Sequence, residues 1–172
     1  MKKQRLTDEQ YRKQVLDAPP SDKVGVRGFY HVQIVEPTGE IVGDSGWHEN
    51  TVVNLGFNQY LVMSLGSIAG SKYLTHMALG TGAGPSAADT ALGSEVGTRQ
   101  ALTVATSSGS KTLRCTATFA AGWHSSAAAF NISSIGLYNT VSGGTVFAGN
   151  TYASSGCASN QAVNTTYDII MA

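Results

Sequence analysis

Residues 112–120 alternate without a break: Leu113, Cys115, Ala117 and Phe119 on one side, Thr112, Arg114, Thr116 and Thr118 on the other. A period of two is what a strand with one covered face and one open face requires. Similar runs surround it. Residues 96–106 read as a strand with Leu102 and Val104 on one face, followed by the turn Ser107-Ser108-Gly109-Ser110. Residues 130–139 and 145–149 flank the turn Val141-Ser142-Gly143-Gly144. Val163, Thr165, Tyr167, Ile169 and Met171 form the inward face of a last strand. Short strands at this spacing, joined by Gly/Ser turns, predict an antiparallel β-sandwich.

Upstream, residues 28–35 read as a strand that turns at Glu36-Pro37-Thr38-Gly39, with Pro second and Gly fourth as a type I turn favours. Residues 40–42 return as the second arm of a hairpin, and Trp47-His48 begin an extended piece reaching Val52-Val53. Asn54 reads as the N-cap of a helix over 55–65. Phe57, Leu61 and Leu65 recur at i, i+4 and i+8, widened by Tyr60 and Val62, and Gly66 supplies the stop. That stripe predicts a core helix lying over one face or end of a sheet. An apolar run over 74–79 then stops at Gly80-Thr81-Gly82-Ala83-Gly84-Pro85.

The N-terminal segment has a different character. Thr7-Asp8-Glu9-Gln10 matches a capping box, with Leu6 and Tyr11 placed as its hydrophobic staple. The helix is expected to run from Asp8 to Leu16 or Asp17 and to stop before Pro19-Pro20, which opens the linker Pro19-Pro20-Ser21-Asp22. About nine residues make a helix marginal alone in water, so it either frays or docks. Leu6, Tyr11, Val15 and Leu16 are its apolar residues, and they are assigned here to contact with a partner subunit. The fold expected is mainly β: an antiparallel sandwich over 23–172 with one short packed helix, preceded by a helical arm over 1–22.

Charge is segregated along the chain. The protein carries 11 basic and 11 acidic residues, and charged residues are 13% of the total, about half the usual ~25%. Most lie in residues 1–50; beyond them stand only Lys72, Arg99, Lys111, Arg114, Asp89, Glu95 and Asp168. A free monomer ordinarily uses charge to stay dispersed. So bare a surface fits a subunit packed against neighbours, or else a secreted-type β domain with a Ser/Thr surface. Zero net charge gives no sign of nucleic-acid or anionic-membrane binding. No apolar run approaches the ~20 residues that span a bilayer, and the basic start lacks the apolar segment of a signal peptide. Synthesis in the cytoplasm is expected.

Several constellations invite a chemical reading. Gly43-Asp44-Ser45-Gly46 echoes a serine-protease nucleophile segment, yet only 44 residues precede Ser45, with His31 the sole histidine among them. A polar turn is the better reading. Gly80, Gly82 and Gly84 lack the spacing, the following Lys and the helix of a phosphate loop. His31, His48, His76 and His124 show no metal-ligand spacing. Asp89, Glu95 and Asp168 could in principle supply a carboxylate pair, but Asp89 and Glu95 read better as turn caps. Cys115 falls on an inward strand face and Cys157 in a Ser/Gly loop, with both free thiols and a disulfide open. Trp47, Trp123 and Tyr152 are the aromatics a carbohydrate-binding face would use. No catalytic, cofactor-binding or metal-ligating residue is assigned, and no enzyme activity is expected.

Asn54-Leu55-Gly56, His76-Met77-Ala78-Leu79-Gly80-Thr81-Gly82, Asp89-Thr90-Ala91-Leu92 with Glu95, and Ser134-Ile135-Gly136-Leu137-Tyr138-Asn139 follow one another in that order. In this order they resemble small virion structural proteins of tailed bacteriophages, over roughly residues 50–172. The resemblance implies a non-enzymatic subunit without cofactors, and it spans capsid decoration proteins as well as tail-fibre and baseplate components. With no repetitive shaft and with a charged arm, the chain is expected to be a capsid decoration (cement) protein. Its partners would be the major capsid protein and copies of itself, as a homotrimer on the outer capsid surface of the virion. A tail-fibre or baseplate component that binds the host surface, or a carbohydrate-binding module, is the alternative.

Overall fold

The computed structural model describes residues 6–16, 25–124 and 129–171. The linker 19–22 and the boundary drawn between 22 and 23 lie outside them, as does the side chain of Leu16.

Among the described residues, eleven strands form two antiparallel sheets packed against each other, a β-sandwich. The first holds β1 (Val26–Val35), β2 (Ile41–Asp44), β3 (His48–Glu49), β7 (Thr103–Ala105), β8 (Thr112–Phe119) and β11 (Ala162–Met171). Its order is β2-β1-β11-β8-β7, with β3 also paired to β1. The second runs β4-β10-β9-β5-β6, from β4 (Thr51–Val52), β10 (Val146–Cys157), β9 (Phe130–Tyr138), β5 (His76–Gly80) and β6 (Glu95–Ala101).

The alternation in β8 holds: Cys115, Ala117 and Phe119 are buried and Leu113 packs against the same core. They meet Tyr30, Val32 and Ile34 of β1, Val163, Tyr167 and Ile169 of β11, and Ile132, Ile135 and Leu137 of β9. Met171, expected inward, is half exposed at the strand end. Cys157, expected in a loop, closes β10 opposite Phe130 and is buried, as is Cys115; both are free thiols.

Two runs read as single strands are each divided between the sheets. His48–Glu49 pairs with β1, whereas Thr51–Val52 pairs with β10. The chain crosses at Asn50, whose backbone N–H donates to Gly28 O (2.9 Å) and whose side-chain amide donates to the Tyr167 hydroxyl. Likewise β6 lies on β5 and β7 on β8, with Leu102 between them donating to Thr75 O at 2.8 Å. Such crossings turn the corners of a two-sheet stack.

The helix after β4 departs most from expectation. It begins at Asn54–Gly56, widens into π-helical turns over Phe57–Val62 and closes at Met63–Leu65; we call it α2. Val53 rather than Asn54 takes the N-cap position, and no side chain caps it. The freed Asn54 N–H is satisfied by Ala87 O at 2.8 Å. The inward face lies out of phase with the expected stripe: Gly56, Tyr60 and Leu61 turn toward the body while Phe57, Val62 and Leu65 face outward. A methyl group on Gly56 would overlap the Phe147 carbonyl, and this close approach sets the helix on β10.

Candidate interaction surface

The N-terminal arm carries the apolar residues expected to meet a partner. The capping box forms: Gln10 N–H donates to Thr7 Oγ1 (3.3 Å) and Thr7 N–H to Gln10 Oε1 (3.0 Å). The α-helix Asp8–Tyr11 continues as π-helical turns over Arg12–Leu16; this is α1. Leu6, Tyr11 and Val15 are buried with Phe29, Trp47 and Ile170, on the outer face of the first sheet. These three side chains cover their own domain, and Leu6 bridges Trp47 by paired backbone bonds of 3.0 and 3.1 Å. The physical reason is visible on β1 and β11, where Phe29 and Ile170 point away from the central core and need a cover.

Tyr11 is the key of this lock. Its ring stacks on Trp47 (centroids 4.0 Å, planes 3° apart) and meets Phe29 edge-on at 5.3 Å. Its hydroxyl donates to Asp168 Oδ2 at 2.5 Å, while Arg114 Nε and Nη2 donate to the two carboxylate oxygens at 2.8 and 2.7 Å. Asp168 is fully buried, so this bidentate pairing and the phenol satisfy a charge that would be costly alone. Burial first, then the bond to Asp168, pushes the Tyr11 phenol far above its ordinary pKa. Trp47 Nε1 donates to Asp8 Oδ1 (2.7 Å), tying the first helical turn to the sheet.

The other candidates resolve into structural roles. His31 Nε2 lies 2.7 Å from Asp44 Oδ1, whereas the Ser45 hydroxyl donates to Gly46 O (2.7 Å) and accepts from Val32 N–H (2.9 Å). The Gly-Asp-Ser-Gly stretch thus clips the chain to β1, and Ser45 is not aimed at His31. Glu95 in the second sheet pairs with Arg99 at 2.7 Å, and Asp168 in the first is taken up by Arg114 and the Tyr11 phenol. Asp89 accepts from Ser86 N–H (2.7 Å), a contact that lowers its pKa. Among the described residues, no three His, Cys, Asp or Glu side chains cluster as metal ligands. Trp47, Trp123 and Tyr152 are all buried and present no exposed aromatic face.

The motif residues form one knot. Leu92 is buried with Val53, Ala78, Tyr138 and Val146, and its N–H donates to the Tyr138 hydroxyl at 2.6 Å. The Arg99 guanidinium lies 3.3 Å from the Tyr138 ring centroid, held by Glu95 and by the carbonyls of Thr140 and Gly143. A methyl group on Gly80 would come within 2.7 Å of Ser134 Oγ, one on Gly82 within 2.8 Å of Gly93 O, and one on Gly84 would strike the Asn150–Thr151 backbone. The glycines admit neighbouring backbone, and the acid and arginine brace the ring.

What remains open is the outward side of α2 and the turn after it. Phe57, Val62, Leu65 and Ile68 are exposed, Leu65 at 90%, and Tyr73 follows at 78%. Five large apolar side chains along one short stretch, on a body short of charge, are what an interaction surface presents. Sequence reasoning turned Phe57 and Leu65 inward; the clue it passed over is Gly56, the small residue that marks the true inner face. No protein-family model, curated protein or solved structure matches the chain. The fold and the surface define a β-sandwich with a helical arm closed on itself and an apolar helix left outward.

Proposed function

We propose that this chain is a non-enzymatic structural subunit of a tailed-bacteriophage virion, a capsid decoration (cement) protein acting on the outer shell. Its partners are the major capsid protein and further copies of itself, as a homotrimer. The observation that carries the reading is the exposed apolar run Phe57–Val62–Leu65–Ile68 on α2 and its turn, set on a surface with few charges. Covering such a run removes apolar area from water and favours the assembled state. The ordered resemblance of the motif residues to virion proteins supports the same reading. Because Leu6, Tyr11 and Val15 are occupied within the molecule, contact with the shell is assigned to α2 rather than to the arm.

Binding of the purified chain to expanded shells tests this. The intact protein is expected to load in hundreds of copies per particle by densitometry. Leu65→Asp combined with Phe57→Asp should weaken loading by about a hundredfold or more without changing the circular dichroism spectrum. Only a few copies per particle would move the chain to a tail fibre or baseplate. Full loading by the double variant would remove α2 from the interface.

A further inference from the structure

The end of the sandwich where α2 and residues 72–74 approach β7, β8 and β11 is not closed. A cavity of about 410 Å³ opens there, within the ~300–1,000 Å³ range of sites that hold small organic molecules. Leu61, Leu74, Leu113, Phe147 and Ile169 form its wall, and the half-exposed Val104 and Met171 stand among its lining residues. Walls of this kind offer water few partners and favour an apolar chain. The charged residues lining it are Lys72 and Lys111, with no carboxylate among them. Lys72 Nζ is held at 2.7 Å from Thr145 Oγ1, and Lys111 is exposed. Two ammonium groups on an otherwise apolar cavity, in a region of the chain nearly devoid of charge, match one anionic group on an apolar tail.

We infer that this cavity binds a single-chain anionic amphiphile, with its tail against Leu61, Leu113, Phe147 and Ile169 and its headgroup at Lys72 and Lys111. The cavity shares Tyr73 with the apolar stretch after α2 but is not lined by Phe57, Val62, Leu65 or Ile68, and it does not depend on the virion reading.

Calorimetric titration of the full chain with octanoate, decanoate and dodecanoate, below their micellar concentrations, tests it. One dodecanoate per chain is expected, with affinity rising about tenfold for each two methylenes. Dodecyltrimethylammonium should bind at least about tenfold more weakly, since its charge meets the lysines. Lys111→Glu should weaken dodecanoate by about tenfold, and Val104→Trp, at a half-exposed position, should block entry; Leu65→Asp should leave binding unchanged. Absence of saturable dodecanoate binding would overturn the inference. So would equal affinity for the cationic amphiphile, or a folded Val104→Trp protein that binds as the parent does.

Discussion

Cys115 shows how much one side chain depends on the layers around it. It lies in the core on β8, and burial, followed by the nearby charge of Asp168, pushes its thiol up to about 12. Tyr11, Tyr30 and Tyr167 are likewise buried and their phenols are raised, burial being the first cause in each. These groups hold their protons in the folded chain at pH values where the unfolded chain gives them up. Their contribution is therefore complete below the unfolded thiol value of about 8.5 and is lost as the pH climbs toward 12. Urea midpoints are expected to fall steadily between pH 8 and 10.5, with Cys115 alone adding a slope of up to about 1.4 kcal/mol per pH unit. Substituting Cys115→Ala should flatten that slope, and an unchanged slope would show that the thiol does not titrate in this way. In the same experiment at pH 8, a thiol reagent should leave Cys115 and Cys157 unmodified until the protein unfolds.

At the scale of elements, the strands were legible where one face is apolar and the other Thr-rich, as in β8. They were illegible where the residues are small and polar: Asn150 to Gly156 extend β10 well beyond its expected end, and nothing in Asn-Thr-Tyr-Ala-Ser-Ser-Gly declares a strand. The last strand was legible on its inward side only, because the burial of Asp168 and Ile170 depends on a helix 150 or so residues earlier in the chain. The expected orientation of α2 fails because its stripe runs through the large residues Phe57 and Leu65, out of phase with the buried Gly56 and Tyr60. Of the arm residues expected at an interface, Leu6, Tyr11 and Val15 cover Phe29, Trp47 and Ile170 of their own domain. Gly56 supplies a sharp test of the corrected orientation. In an ordinary helix Gly→Ala stabilises by about 1 kcal/mol, but here the added methyl group meets the Phe147 carbonyl. Gly56→Ala is expected to destabilise by about 1–3 kcal/mol, read as a lower urea midpoint; a raised midpoint would place the helix differently.

For the whole molecule, the arm is a third layer over the first sheet. Removing residues 1–16 uncovers Phe29, Trp47 and Ile170 and takes the phenol from Asp168. Burial of each large side chain contributes about 1.5–3 kcal/mol before ordering costs, so the truncated chain is expected to lose about 2–4 kcal/mol and to bind a hydrophobic dye. A truncated chain as stable as the full one would mean that the arm rests on the sheet without supporting it. The crossings at Asn50 and Leu102 carry another consequence. Because β3 is joined to β4, and β6 to β7, through a single residue each, a strand that slipped by one position in either layer would drag its continuation out of step in the other. Misalignment of one sheet is thus opposed by the pairing of both, and the two halves must find their alignment together.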